Sequence, residues 1–202
     1  MISTTNHSHF SPLFPANAVI TVVGVGLISG SFALAMKNKG FASKIIGVSK
    51  TEASLQKALE LGIIDEALPL AEAVAQSHLI YVAIPVDATV KLIPTILDLL
   101  KPGQIITDAG STKNALCNAV EKHPNRKQFV AAHPMWGTEN SGPEAAQQNA
   151  FAGRCCVICD KEFSDENAVT VVEEIYRQLG MHIVYMDAYA HDMHAAYVSH
   201  IS

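Results

Sequence analysis

Two polar segments follow apolar, strand-like runs and carry side chains that can do acid–base chemistry. Ser111 lies in the segment Asp-Ala-Gly-Ser-Thr-Lys, residues 108–113, and His133 begins the segment His-Pro-Met-Trp-Gly-Thr-Glu, residues 133–139. A histidine has an unperturbed pKa of about 6.5, so much of it is neutral at pH 7 and able to accept a proton. The residues alone leave catalysis and a structural capping role equally open for His133.

A glycine-rich turn stands between a β-branched run and a helix-like segment. It carries Gly24 and Gly26, with Ser29 at the third position of a Gly-x-Gly-x-x-Gly pattern. In such a turn the first glycine permits a tight bend, the second lets the backbone approach a pyrophosphate, and the helix N-terminus attracts the anion. We predict a dinucleotide site here that includes Leu27 and Ile28. The alternative is a tight strand–helix turn without a ligand.

The residues after the second predicted strand bear on which nicotinamide cofactor binds. NAD sites usually carry Asp or Glu there, which accepts hydrogen bonds from the ribose 2′-OH. This chain has Ser49 and Lys50 instead, and these side chains can bind a 2′-phosphate. The prediction is therefore NAD or NADP, with a slight preference for NADP. The alternative is that Glu52 turns inward and serves NAD.

Apolar strand-like runs alternate with amphipathic helix-like segments, which predicts a doubly wound α/β fold of the Rossmann type with a mostly parallel sheet. The predicted strands are Ala18–Val23, Lys44–Val48, Leu79–Ile84, Gln104–Thr107, Phe129–Ala132, Cys155–Cys159 and His182–Met186. The predicted helices are Ser31–Lys39, Thr51–Leu61, Asp87–Leu100, Thr112–Lys122, Asp165–Leu179 and Asp187–Ile201. Ligands bind at the carboxyl ends of the strands in open α/β sheets, so Ala83, Ile84 and Pro85 are also assigned to the cofactor.

Composition restricts the classes of partner. The 14 Lys and Arg against 19 Asp and Glu give a net charge of −5 without a basic block, so neither nucleic acid nor a membrane surface is expected as a partner. No apolar run reaches the length of a membrane span, and a cytoplasmic location is expected. Cys155, Cys156 and Cys159 lie in an apolar run that is typical of buried, reduced thiols, so no metal site is predicted. His191 and His194 are assigned to helix packing or to a hydrogen bond near the pocket.

Taken together, these segments resemble the prephenate/arogenate dehydrogenase family. The resemblance rests on Gly-Leu-Ile-Ser-Gly-Ser at the glycine turn, on Gly-Ser-Thr-Lys, on His-Pro-Met-x-Gly-Thr-Glu, and on His-Asp before Val-Ser-His at residues 198–200. It implies the oxidative decarboxylation of prephenate. A hydride leaves C4 of the ring for the nicotinamide, the C4 hydroxyl loses its proton, and CO2 departs as the ring becomes aromatic.

By the same resemblance, His133 is the base for that hydroxyl proton, and Ser111 orients the hydroxyl and the nicotinamide. Thr138 and Glu139 match positions that shape the substrate pocket, and His200 matches a histidine at the edge of the pocket. The family also implies a homodimer for the full-length protein.

The polar composition of the N-terminal stretch and the resemblance, which begins at about Ala18, divide the chain into three parts. Residues 1–16 are expected to be a flexible extension, residues 17–186 the dinucleotide-binding and catalytic domain, and residues 187–202 the first helix of a largely missing helical dimerisation domain. Family members hold a substrate carboxylate with an arginine from that helical domain, and neither Lys113 nor Arg154 can be assumed to replace it. We therefore expect this chain alone to bind the cofactor but to turn over poorly or not at all.

Two other functions stay open at this point. The first is a related enzyme, either an arogenate dehydrogenase or another dehydrogenase of a small β-hydroxy acid. Arogenate differs from prephenate by an amino group on the side chain. The second is a non-catalytic module that senses a dinucleotide, which would have no use for a base at His133.

Overall fold

The described residues form a domain around one eight-stranded sheet. The computed structural model describes residues 14–15 and 17–201, with side chains described up to residue 197. The strands are β1 Val19–Val23, β2 Lys44–Val48, β3 Glu66–Ala67, β4 Leu79–Val82, β5 Ile105–Asp108, β6 Phe129–Pro134, β7 Cys155–Cys159 and β8 His182–Met186. They lie side by side in the order β3-β2-β1-β4-β5-β6-β7-β8.

The strand directions create one edge that is suited to ligands. β1 pairs in parallel with both β2 and β4, and the parallel pairing continues through β5 to β6. The strand order therefore reverses between β1 and β4, and open α/β sheets bind ligands beyond the carboxyl ends of the strands at such a point. β7 is antiparallel to β6, and β8 is parallel to β7. The prediction of a doubly wound, mostly parallel sheet is confirmed.

Helices cover both faces of the sheet. They are α1 Leu27–Asn38, α2 Glu52–Glu60, α3 Leu70–Gln76, α4 Val86–Leu99, α5 Asn114–Val120, α6 Glu166–Gln178 and α7 Ala188–Ile201. One buried cluster joins α1 and α6 to the sheet through Phe32 and Val172. A second cluster joins α4 and α5 to the opposite face through Ile93 and Leu116. The central strands are thus buried on both faces, which explains their continuously apolar sequences.

Two boundaries and two short elements differ from the prediction. α1 begins at Leu27 and not at Ser31, because the glycine-rich turn itself forms the first helical turn. β6 continues to Pro134, because its end pairs with β7, and His133 is therefore a strand residue. β3 and α3 are not predicted from the sequence, since two and seven residues are too few to show a period.

The cysteines are free thiols, and their burial is uneven. Cys117, Cys156 and Cys159 are buried, whereas Cys155 is exposed. The prediction of a buried thiol is wrong for Cys155, which is the first residue of β7. Within the described residues, no group of three or more His, Cys, Asp or Glu side chains is arranged to hold a metal ion. No described helix has the length and apolar character needed to cross a membrane.

Candidate active site

A cavity of about 490 Å³ opens at the carboxyl ends of the central parallel strands. Its walls come from the glycine turn, the end of β4, the loop after β5 and the segment that starts at the end of β6. It brings together nine of the residues that the sequence assigns to cofactor or substrate: Gly26, Leu27, Ile28, Ala83, Ile84, Pro85, Ser111, His133 and Thr138. The predicted cofactor turn and the predicted base therefore face one common space.

The glycine turn is shaped to receive an anion. Gly24 has a φ of +85°, and a Cβ at this position would lie 2.5 Å from the carbonyl oxygen of Ala83. Gly26 is the N-cap of α1, a helix without an acidic residue in its first turn. A Cβ at Gly26 would meet nothing within 4 Å, so the space beside the helix N-terminus is open. The free N–H groups and the helix dipole there fit the pyrophosphate of a dinucleotide.

The last residues of the glycine motif support a loop. Ser29 is fully buried, and its Oγ has no hydrogen-bond partner within the described residues. Ser31 Oγ donates to the carbonyl of Leu27 (2.7 Å) and accepts from the backbone N–H of Gln147 (2.8 Å). A Cβ at Gly30 would lie 2.9 Å from the Cβ of Ala146, which precedes Gln147 in the loop after β6. The segment from 137 to 149 is thereby fastened to α1.

A buried ion pair holds the loop that carries Ser111. Lys113 Nζ contacts Asp108 Oδ2, and both side chains are fully buried. Asp108 also accepts from the backbone N–H of Gly110 (2.9 Å) and of Ala132 (3.2 Å). Lys113 is thus engaged inside the protein and is not a cation for a substrate carboxylate. Ser111 remains exposed at the tip of the loop and lines the cavity.

His133 is half-buried and is one of the residues that line the cavity. Its Nδ1 lies 2.9 Å from Nε2 of His191, with the two ring planes 81° apart. Burial lowers the pKa of His133 to about 4; the charge of Lys113 and the ring of His191 also lower it, and Asp192 raises it. The ring is therefore neutral at pH 7, and Nε2 can accept a proton from a molecule in the cavity.

Sequence reasoning gave no role to Asp192, which the structure places behind His133. His191 is buried, and its Nδ1 lies 2.8 Å from Asp192 Oδ1. Asp192 also accepts from the backbone N–H groups of Lys113 (2.7 Å) and Asn114 (2.9 Å). The sequence feature that could have identified Asp192 is the His-Asp pair that precedes Val-Ser-His at residues 198–200. His200 belongs to the same helix, but its side chain lies outside the described part of the structure.

The segment that follows His133 contributes further residues to the cavity. Trp136 both lines it and packs against Phe151, with ring centroids 5.8 Å apart. Thr138 lines the cavity as predicted. Glu139 is exposed and is not part of the lining, and Arg154 is exposed and likewise outside it.

A second cavity of about 410 Å³ adjoins the first. The two share Ile84 and Pro85, and Lys50 and Lys91 line the second one together with Asp87. Lys50 follows β2, where a nucleotide ribose is expected in this fold. Ser49 precedes it and does not line either cavity.

The sequence also matches a known family over most of its length. The family model described as "Prephenate dehydrogenase, nucleotide-binding domain" matches residues 32–185. The chain belongs to this family. The prephenate dehydrogenase of Bacillus subtilis (strain 168) is 31% identical over 184 residues, which cover 90% of this chain and 50% of that protein. The chain thus spans about half the length of this relative.

Solved structures of family members have the same fold. The prephenate dehydrogenase of Aquifex aeolicus in complex with hydroxyphenyl propionate and NAD+ has a TM-score of 0.78 at 30% identity, covering 87% of this chain and 62% of that chain. Synechocystis arogenate dehydrogenase has a TM-score of 0.81 at 28% identity, covering 90% of this chain and 64% of that chain. These similarities agree with the Rossmann-type α/β fold.

Proposed function

We propose that this chain is the nucleotide-binding and catalytic part of an enzyme that converts prephenate to 4-hydroxyphenylpyruvate and CO2, with hydride transfer to NAD or NADP. One observation carries the proposal: His133 lines the same cavity as Gly26 and Ser111, and its Nδ1 is already engaged by His191. The family of the chain supports it. So do the ligands named for the Aquifex aeolicus relative, an aromatic acid and NAD+.

The residues of the cofactor site have separate tasks in this proposal. The N-terminus of α1 at Gly26 holds the pyrophosphate, and Ala83, Ile84 and Pro85 form the wall on which the nicotinamide half of the cofactor rests. When bound, the nicotinamide supplies the acceptor for a hydride. Ser29 keeps α1 close to the sheet because its small, buried side chain needs little space.

The chemistry then requires one proton acceptor from the chain. Prephenate loses a hydride from C4 and the proton of the C4 hydroxyl, which turns C4 into a carbonyl carbon. Loss of CO2 then leaves its bonding electron pair to the ring, which becomes aromatic as the C4 oxygen takes a proton back from the protonated base and forms the phenol hydroxyl. His133 Nε2 takes the hydroxyl proton, and Ser111 orients the hydroxyl toward it. A positioned base of this kind contributes roughly 10²- to 10⁴-fold to a rate.

The preference between the two cofactors depends on the second cavity. Lys50 and Lys91 place two cations beside it, and Asp87 places one carboxylate there. A 2′-phosphate has close to two negative charges at pH 7 and favours cations around it. We therefore propose a slight preference for NADP, with Ser49 as a further hydrogen-bond donor.

The substrate carboxylates need a cation from outside the described cavity. Among the described residues that line the 490 Å³ cavity there is no Lys or Arg, and desolvating a carboxylate without a partner is costly. Thr138, Glu139 and His200 are proposed to contact the substrate, but none of them is a permanent cation. We propose that the missing cation lies in another part of the whole protein. We also propose that the whole protein is a homodimer in the cytoplasm.

A steady-state assay tests this proposal. The full-length protein is given prephenate or arogenate with NAD or NADP, and reduced nicotinamide is followed at each combination. We expect turnover with prephenate, and poor turnover for the 202-residue chain although it binds the cofactor. Cofactor binding without hydride transfer from either substrate would favour a sensing module instead.

Arogenate is the second candidate substrate. The structural similarity to Synechocystis arogenate dehydrogenase is the observation that favours it. The two substrates differ in the side chain far from C4, so His133 and Ser111 serve either. A higher kcat/KM for arogenate than for prephenate in the same assay would make arogenate the proposed substrate.

A further inference from the structure

Behind the proposed base, three side chains form a continuous hydrogen-bonded chain. His133 Nδ1 lies 2.9 Å from His191 Nε2, and His191 Nδ1 lies 2.8 Å from Asp192 Oδ1. His133 belongs to β6, whereas the other two belong to α7, 58 residues further along the chain. His191 is only 3% exposed. The contact is therefore made in a dry environment, where hydrogen bonds are strong and unmade ones are costly.

The position of each proton follows from Asp192. Its carboxylate already accepts two backbone N–H bonds, from Lys113 and Asn114. Although burial raises its pKa, the hydrogen bonds from His191 and from those two N–H groups lower the pKa more, and the net shift is downward. Asp192 is thus an ionised, acceptor-only group at neutral pH.

The two rings then have only one consistent arrangement when both are neutral. His191 Nδ1 must carry a hydrogen, because Asp192 can only accept. His191 Nε2 consequently has a lone pair, and His133 Nδ1 must donate to it. The remaining nitrogen of His133, Nε2, then has its lone pair directed to the cavity. This is the tautomer that a base needs.

We propose that His191 and Asp192 are positioning residues that hold His133 in the Nδ1–H tautomer, with Nε2 ready to accept the substrate proton. The inference deepens the proposed function and rests on it for its catalytic consequence. The ring orientation, at 81° between the planes, is fixed by the same contact. When His133 becomes protonated, its Nδ1–H keeps the same partner, so that no hydrogen bond behind it has to reorganise.

The charged and titratable groups that face His133 fit this role. They are Lys113 from the loop after β5 and His191 and Asp192 from α7. The ammonium of Lys113 is paired with Asp108, so its effect on the ring is partly offset. Asp192 is the negative group at the far end of the chain of hydrogen bonds, where it stabilises the positive charge that His133 gains.

The tautomers can be measured without any activity. Long-range ¹H–¹⁵N correlation spectra of the 202-residue chain distinguish protonated from unprotonated ring nitrogens, and the variants His133→Asn and His191→Gln assign the two rings. We expect Nδ1–H tautomers for both His133 and His191 at pH 7. A His133 ring protonated on Nε2, or one that exchanges between tautomers as free imidazole does, would overturn the inference.

Two substitutions of His191 separate positioning from packing in the full-length enzyme. His191→Leu fills the same space without an acceptor, and His191→Gln keeps an acceptor oxygen for His133 Nδ1. We expect kcat to fall about 100-fold in His191→Leu, with recovery of most of that loss in His191→Gln and an unchanged cofactor KM in both. Equal losses in the two variants, or none, would contradict the inference.

The Asp192→Ala variant tests the far end of the chain, because it removes the acceptor of His191 Nδ1. His191 then no longer has to carry its hydrogen on Nδ1, and His133 is expected to populate the Nε2–H form in the same spectra. An unchanged His133 spectrum in a folded Asp192→Ala protein would count against the inference. A protein that shows the expected tautomers but no hydride transfer would overturn the proposed function and leave the hydrogen-bonded arrangement standing.

Discussion

Asp108 Oδ1 accepts a hydrogen bond from the backbone N–H of Ala132 at 3.2 Å, which joins the end of β5 to the residue before His133. The other oxygen of Asp108 binds Lys113 and the N–H of Gly110. One buried carboxylate therefore fixes both the loop that carries Ser111 and the strand that carries His133. The distance between the two proposed catalytic side chains depends on this group.

Replacing Lys113 by Met is expected to destabilise the protein by about 3 to 5 kcal/mol, because it leaves Asp108 buried without its cation. Chemical denaturation of the chain measures this loss. The matched control is Lys122→Met, since Lys122 is exposed and its loss should change the free energy of unfolding by less than about 0.5 kcal/mol. Similar effects of the two substitutions would show that the buried pair is not structural.

The two glycines of the turn are expected to respond differently to alanine. Gly26→Ala should keep the stability within about 1 kcal/mol, because its Cβ enters open space, and weaken cofactor binding by about tenfold or more. Gly24→Ala should destabilise the fold by more than about 1 kcal/mol, since its φ is +85° and the backbone of Ala83 is close. Calorimetric titration with the cofactor and thermal melting measure the two effects. Unchanged cofactor affinity in Gly26→Ala would place the pyrophosphate elsewhere.

The lowered pKa of His133 predicts a loss of stability in acid. The pKa is about 4 in the folded protein and about 6.5 in an unfolded chain, so the stabilisation is complete above pH 6.5 and is lost as the pH falls toward 4. Relative to His133→Gln, the wild-type chain should lose about 2 kcal/mol between pH 7 and pH 5. Parallel denaturation curves of both proteins measure the difference. If the difference in the free energy of unfolding between the two proteins is the same at pH 7 and pH 5, burial does not lower the pKa of His133.

Lys50 is expected to set the preference for NADP. Lys50→Ala should lower the ratio of NADP affinity to NAD affinity by about tenfold, because only NADP has the 2′-phosphate that this cation is proposed to bind. Titrations with both cofactors give the ratio, and Lys122→Ala is the control at a lysine that lines neither cavity. If the ratio does not change in Lys50→Ala, Lys50 is solvated and does not bind a 2′-phosphate, which would favour NAD as the cofactor.

The sequence was sufficient for most of the elements and for half of the residues that line the 490 Å³ cavity, since periodicity and the glycine turn are local features. It could not locate the contacts that depend on burial. Lys113 is a candidate for the substrate in the sequence, and only its packing against Asp108 reveals that its charge is engaged inside the protein. The contact of His133 with His191 joins residues 58 positions apart, and no local pattern encodes it. The strand end at Pro134 likewise depends on the antiparallel partner β7.

The most direct measurement of the central claim is the turnover of a His133→Asn variant of the full-length protein, determined together with its cofactor Kd. If His133 is the base, kcat should fall by about 10²- to 10⁴-fold while the cofactor Kd stays nearly the same. A kcat within a few-fold of the wild-type value, or an equal loss of turnover and cofactor affinity, would contradict the account.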